Sequence, residues 1–363
     1  TEKGLGRFWR RKSSASVEEN TEKIETAQDT EKGTQKEFTK TPETIDEISD
    51  EISEEIVELK QDTKKKKAFL RLLRRREFAK KKRKIRWSDV AVVLALLLFI
   101  GAGVAANISY NRTHYTMEFF QINSRKLSHG IRIIFISDIH LREYGEDNQD
   151  LVQDITELAP DLILLGGDIV IDSESNYDNM VALCHKLVEI APTYGVLGNH
   201  EDVKIYIQKD KDLINRFENT GMRFLINESD TLTLYDNTVS IVGLDGDPSS
   251  FEKYGAKERM ETFEAEDKSD FQICLAHVPT YFPDILSQYH FELGLAGDAH
   301  GGLIRLPKIG ALYSPDEGLF PEYAGGEYTL SNKAHLIVSR GMGDSSWWPR
   351  INNVPELSVI DVD

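Results

Sequence analysis

Five short apolar runs, each ending in glycine, acid, amide or histidine, constrain this chain more than any other feature. Ile131 to Ile136 leads into Ser137-Asp138-Ile139-His140, Leu162 to Leu165 into Gly166-Gly167-Asp168, and Val196-Leu197 into Gly198-Asn199-His200-Glu201. Phe271 to Ala276 precedes His277, and Leu293 to Ala296 precedes Gly297-Asp298-Ala299-His300-Gly301-Gly302. Apolar runs this short suit buried strands. Between them Leu151, Ile155 and Leu158, then Val181, Cys184, Leu187 and Val188, recur at helical spacing. Strand and helix alternate, which predicts one α/β domain over residues 113–363. Further strands are expected at Leu232 to Leu234, Val239 to Leu244 and His335 to Ser339. In open α/β sheets ligands collect beyond the carboxyl ends of strands, so the five segments are expected to converge on one site.

Taken singly, each segment is weak, because an Asp-x-His or a lone His beside a strand is common. Their order is the signal. Mixed carboxylate, imidazole and amide donors suit Mn, Fe, Zn or Mg-like ions, whereas a structural zinc site favours thiolates. The chain has two cysteines, Cys184 and Cys274, expected to be buried apolar residues rather than a disulfide framework. The net charge of -17 argues against a nucleic-acid partner, since phosphate backbones are held by basic surfaces.

The N-terminal part obeys different rules. Residues 1–63 are rich in Glu, Lys, Thr and Ser, a composition that buries too little apolar surface to offset the entropy of ordering, so a disordered cytoplasmic tail is expected. Within it Ile45, Ile48, Ile52 and Ile56 would align on one face of an acidic helix, a surface for a cytoplasmic protein partner. Residues 64–87 form a polybasic juxtamembrane segment. From Val90 to Ala106 every residue is apolar or glycine, and a transmembrane helix is expected over 88–110. Lys and Arg crowd its N-terminal flank and thin out after it, so the positive-inside rule predicts a single-pass protein of the cell membrane with its catalytic domain extracytoplasmic. The run has no small-residue cleavage site before Asn107, which favours an uncleaved anchor over a signal peptide.

The ordered set Asp-x-His, Gly-Gly-Asp, Gly-Asn-His-Glu, a lone His and Gly-x-x-His-Gly-Gly resembles the calcineurin-like metallophosphoesterase superfamily. Ser339-Arg340-Gly341-Met342-Gly343, Pro349-Arg350 and Pro355-Glu356 resemble its membrane-anchored, UDP-diacylglucosamine pyrophosphatase-like branch. The resemblance implies a four-layer α/β/β/α sandwich and two divalent ions. It implies that Asp138, His140 and His300 bind the first ion, that Asp168 bridges, and that Asn199, His277 and residue 298 complete the second. His200 would donate a proton, with Asn199 and Asp168 beside it in the catalytic set. The family usually has His where this chain has Asp298; the added carboxylate favours hard ions, Mn first and Mg next.

The expected activity is hydrolysis of a phosphoester or pyrophosphate bond in a lipid-linked or cell-envelope substrate, by metal-activated hydroxide. A phosphodiesterase on soluble substrates and a non-catalytic membrane receptor or scaffold are the alternatives. The lipopolysaccharide-precursor activity of some relatives is cytoplasmic, which conflicts with the predicted topology. Arg142, Arg305 and Arg350 are candidates for binding substrate phosphate, because a planar guanidinium pairs bidentately with it. Trp347 and Trp348 could pack in the core or sit at a bilayer interface. Substrate-selecting loops are expected within 245–269 and 314–332.

Overall fold

A computed structural model of the protein describes residues 63–68, 70–72, 86–246, 251–314, 318–344 and 349–363. The tail, its isoleucine stripe, most of the polybasic segment and the Trp347-Trp348 pair lie outside these residues. The chain divides into two units, 1–86 and 87–363. In the first, residues 63–68 and 70–72 are helical.

The second begins with helix α1 (Trp87–Asn111), whose apolar stretch is long enough to cross a membrane and is not buried anywhere along its most apolar window. Then follow β1 (Thr116–Ile122), β2 (Ile131–Ile136), α2 (Gln149–Leu158), β3 (Leu162–Leu165), α3 (Asp178–Val188), β4 (Thr193–Gly195), α4 (Asn199–Asp202), α5 (Leu213–Glu218) and β5 (Arg223–Phe224). After them come β6 (Glu228–Leu234), β7 (Asn237–Leu244), α6 (Ala256–Glu266), β8 (Phe271–Ala276), α7 (Tyr281–Asp284) and β9 (Leu293–Ala296). The chain closes with β10 (Ile304–Leu306), β11 (Gly310–Ser314), β12 (Gly318–Leu319), β13 (Gly326–Thr329), β14 (His335–Val338) and β15 (Glu356–Val362).

These strands make two mixed six-stranded sheets, β1-β15-β2-β3-β4-β5 and β13-β14-β9-β8-β7-β6, and a small sheet β10-β11-β12. Ile133, Phe135, Leu162 and Leu164 of the first large sheet share one buried cluster with Ile241, Ile273, Leu275 and Leu293 of the second. The alternate residues Ile134, Ile136, Ile163 and Leu165 pack with Leu151, Ile155, Leu183 and Leu187 from α2 and α3. On the second sheet Val242, Cys274 and Leu336 pack with Met260 and Phe263 of α6 and Tyr281 of α7. A strand buried on both faces reads as a nearly continuous apolar run, which is why β3, and β2 and β8 with one polar residue each, Arg132 and Gln272, were legible.

Three departures from expectation have simple causes. Val196 and Leu197 lie just past β4, although Val196 N–H still bonds the Leu165 carbonyl at 3.0 Å. The outer strand β1 was missed because it carries Glu118 and Gln121 among its apolar residues, and β15 because Glu356, Ser358 and Asp361 interrupt it. The expected loops contain regular structure: α6 lies in the first, and β12 and β13 in the second.

Strand direction positions everything that follows. β2, β3 and β4 run parallel, as do β7, β8, β9 and β14, and their carboxyl ends carry the conspicuous polar segments. β15 runs antiparallel to β2 and parallel to β1, so Thr116, paired with Glu356, starts β1 at the end where β2 finishes. The C-terminus of α1, separated from Thr116 by four residues, therefore enters at that same end.

Candidate metal centre

Five strand-end segments deliver their side chains to one place. Asp138, Asp168 and Asn199 follow strands of the first sheet, while His277, Asp298 and His300 follow strands of the second. Ligand atoms of Asp138, His140 and His300 lie within 4.8 Å of one another, as do those of Asp138, Asp168 and His277, and those of His140, Asp168 and His200. Asp138 and Asp168 each belong to two of these groups. Asn199 Oδ1 is 3.2 Å from His277 Nε2, and Asp298 Oδ1 is 3.5 Å from the same nitrogen. The structure thus brings together all seven residues expected as ligands.

The backbone is held there under strain. Asp138, His140, Asp168, Asp298 and His300 have φ between 48° and 62°, the left-handed region that non-glycine residues rarely enter. Such strain costs on the order of 1 kcal/mol per residue and persists where the surroundings over-determine it. Close approach explains two of the glycines. A Cβ on Gly198 would sit 2.2 Å from Asp168 Oδ1, and one on Gly297 would sit 1.8 Å from Ser137 Oγ.

Ring tautomers tell what the cluster accepts. His277 Nδ1 lies 2.7 Å from the Gly166 carbonyl and donates to it, which leaves Nε2 facing the carboxylates and the Asn199 oxygen. Burial works against a charged His277, but Asp168, Asp298 and Asp138 outweigh it and raise its pKa well above the ordinary value. Positive charge is therefore demanded at this point, as an imidazolium or as a cation. Burial tends to raise the Asp168 carboxyl, yet His277, His140 and His200 hold it below the usual range. Burial keeps His140 neutral, with neighbouring His300 adding to the effect. Its Nε2 meets His300 Nε2 at 3.3 Å, and its buried Nδ1 has no hydrogen-bond partner. Arg350 Nη2 lies 3.2 Å from His300 Nδ1 and donates to it, which puts the neutral ring's proton on Nε2; a cation at that nitrogen must displace it. With two carboxylates shared between groups and inward lone pairs from histidine and asparagine, the donor set fits divalent ions.

Glu201, to which the sequence assigned no role at the site, is fully buried, and its carboxylate accepts the N–H groups of Asp168 at 2.8 Å, Val170 at 2.9 Å and Gly198 at 2.9 Å. Burial and Asp168 push its pKa up to about 7. Asp172, also overlooked, puts Oδ1 2.8 Å from His200 Nδ1, while its own N–H lies 3.1 Å from that nitrogen. One ring nitrogen cannot both donate and accept there. The shorter, charge-assisted bond to the carboxylate places the proton on Nδ1 and leaves Nε2 on the site side, 3.9 Å from Asp168 Oδ2. An acid placed four residues after Asp168 and one placed directly after His200 were the available signals.

The three arginines expected to bind phosphate are engaged elsewhere. Arg350, 3% exposed, binds Asp344 Oδ1 at 2.5 Å and donates to the Arg340, Gly343 and His300 carbonyls. Arg142 binds Asp344 Oδ2 at 2.6 Å and the Asn111 carbonyl at 3.2 Å. Arg305 donates to the Gly301 and Ala324 carbonyls. Protein acceptors hold these guanidinium groups in place.

Paired sheets with a His, Asp and Asn cluster at their carboxyl ends define a metal-dependent hydrolase. Residues 131–312 match the calcineurin-like phosphoesterase family, and the chain belongs to it. It is a metal-dependent phosphoesterase, and the family typically binds two divalent metals. Phosphodiesterase YaeI of Escherichia coli is 26% identical over 253 residues, covering 68% of this chain and 86% of that one. The metallophosphoesterase YkuE of Bacillus subtilis is 31% identical over 242 residues, 63% of this chain and 78% of that one. UDP-2,3-diacylglucosamine pyrophosphatase LpxG of Chlamydia trachomatis is 26% identical, covering 64% and 83%.

Proposed function

We propose that this chain is a membrane-anchored, dinuclear-metal hydrolase of a phosphoester or pyrophosphate bond in a lipid-linked substrate. One observation carries the reading: the end of α1 is wired to the metal centre. The Asn111 carbonyl accepts from Arg142, Arg142 and Arg350 share the carboxylate of Asp344, and Arg350 reaches His300. Asn111 Nδ2 also donates to the Arg350 carbonyl at 3.1 Å. If α1 crosses the bilayer, the site opens beside the membrane surface, where a lipid-linked substrate is concentrated. The basic flank before α1 supports an extracytoplasmic domain.

Asp138, His140, Asp168 and His300 would hold one ion, and Asp168, Asn199, His277 and Asp298 the other. When bound, divalent ions supply Lewis acidity to phosphoryl oxygens and lower the pKa of a water. The hard carboxylate of Asp298 favours Mn, with Mg, Fe and Zn as alternatives. His200, doubly protonated with Nδ1–H held by Asp172, would present Nε2–H as the proton donor to the leaving oxygen. Asn199 contributes a neutral oxygen, leaving its NH₂ for a phosphate oxygen. Glu201 ties the turn bearing Asn199 and His200 to the turn bearing Asp168. The helix, sheet, sheet, helix order of the three buried clusters supports a four-layer sandwich. A second reading is a phosphodiesterase on soluble substrates, of which the name of the YaeI relative supports the phosphodiester cleavage.

The test is hydrolysis by the full chain, in detergent and in vesicles, of bis-p-nitrophenyl phosphate and of phospholipid pyrophosphates, with and without Mn and beside Asp168→Asn. Metal-dependent cleavage of the lipid substrate, lost in the variant, is expected. Cleavage of the soluble diester alone supports the second reading, and absence of all cleavage in a metal-loaded protein overturns both.

A further inference from the structure

The small sheet β10-β11-β12 grows directly out of the metal centre, with three residues between His300 and Ile304. Among the described residues it joins neither large sheet, and it exposes several large apolar side chains. Ile309 is 63% exposed, Leu319 69% and Phe320 62%, with Leu306 and Tyr313 also exposed beside them. Tyr313 and Leu319 are cross-strand partners, so their side chains share one face. Lys308 stands exposed next to Ile309. Several large apolar side chains left this exposed on one small sheet point to a partner.

Position says what the partner is. Asn352 donates its N–H to Asn107 Oδ1 in the last turns of α1 at 2.7 Å, and its Nδ2 to the Arg305 carbonyl of β10 at 3.0 Å. Ile351, next to it, bridges Ile304. One residue thus ties the small sheet to the end of the 25-residue apolar helix. A helix that crosses a bilayer ends in the headgroup region, so the sheet lies at that level too. Apolar side chains there enter the acyl boundary, while a neighbouring lysine reaches lipid phosphate.

We propose that β10-β11-β12 is a membrane-docking element that inserts Ile309, Leu319 and Phe320 into the lipid beside α1 and holds the metal centre against the bilayer. A phosphoester headgroup then reaches the site while its lipid tail stays in the membrane. The proposal rests on reading α1 as a membrane span, and its test separates the two.

Cys184 and Cys274 are free and buried, so a single added cysteine can be labelled selectively. The full chain would be reconstituted in phosphatidylcholine vesicles with an environment-sensitive fluorophore at Leu319→Cys, at Val93→Cys within α1, or at Tyr235→Cys. Tyr235 is 63% exposed in the β6-β7 turn, at the opposite end of the strands. Blue-shifted emission and quenching by spin-labelled lipid are expected at positions 319 and 93, with neither at 235. A water-like label at 319 beside a lipid-buried label at 93 overturns the docking element and leaves the span intact. A water-like label at 93 overturns the span itself. A label at 319 shielded from water yet unquenched by lipid assigns the face to a protein partner, which also overturns the proposal.

Discussion

Replacing Glu201 by Gln tests whether a buried carboxylate organises the metal centre. In the protein Oε2 accepts from Asp168 and Gly198, and Oε1 accepts from Val170. Gln keeps the shape but has one oxygen. With that oxygen facing Asp168 and Gly198, its NH₂ meets the Val170 N–H, and one buried donor is left unsatisfied against another. A lost buried hydrogen bond costs roughly 0.5–1.5 kcal/mol and an unsatisfied buried donor roughly 1–3 kcal/mol more, so a net loss of about 3 kcal/mol is expected. In a domain of this size each kcal/mol shifts Tm by about 2–4 °C, giving a fall of roughly 6–12 °C. Asp168 has φ 52° and loses part of its restraint, so the stabilisation conferred by Mn, read as a rise in Tm, should shrink, and kcat should fall with it. Differential scanning calorimetry with and without Mn, beside steady-state kinetics, supplies both numbers. Glu201→Gln melting within about 2 °C of the parent, with unchanged kcat, would refute the argument, because that margin corresponds to no more than about 1 kcal/mol.

Gly198→Ala drives a methyl group into the Asp168 carboxylate and backbone; it should cost about 1–3 kcal/mol of stability and displace a metal ligand, lowering Mn affinity by isothermal titration. Asp172→Asn weakens the hold on His200, so kcat should fall by roughly tenfold to a hundredfold with Mn affinity preserved, and the pH profile of kcat should move. Asp202 is a pH-dependence test. Burial and Asp245 push its carboxyl up to about 8 in the folded protein, from an ordinary value of 3.8. A carboxyl raised in the fold takes up a proton on folding, so its stabilising contribution is complete below the unfolded pKa and fades as pH rises through about 8. Asp202→Asn lacks that term, and its metal-free Tm should decline less between pH 5 and pH 8 than the parent's; equal slopes would count against it.

Sequence alone determined the alternation of elements and the members of the cluster, because β2, β3, β8 and β9 are buried on both faces and read as mostly apolar runs, broken only by Arg132 and Gln272, that end in ligand-type residues. It also marked α1, whose uniform apolarity needs no tertiary context. Periodicity could not decide which of the flanking polar groups face the site. Glu201 has the composition of a surface acid, and only packing between the β3 and β4 turns makes it a buried acceptor of three N–H groups. Arg142 and Arg350 look like phosphate binders until the fold brings Asp344 between them. Pairing of β1 with β15 likewise lies beyond local pattern, since partners 240 residues apart meet only in the folded sheet, as Thr116 and Glu356 do. That pairing sets the end of α1 beside the metal centre, because strand direction and register are properties of the assembled sheet and not of any one segment.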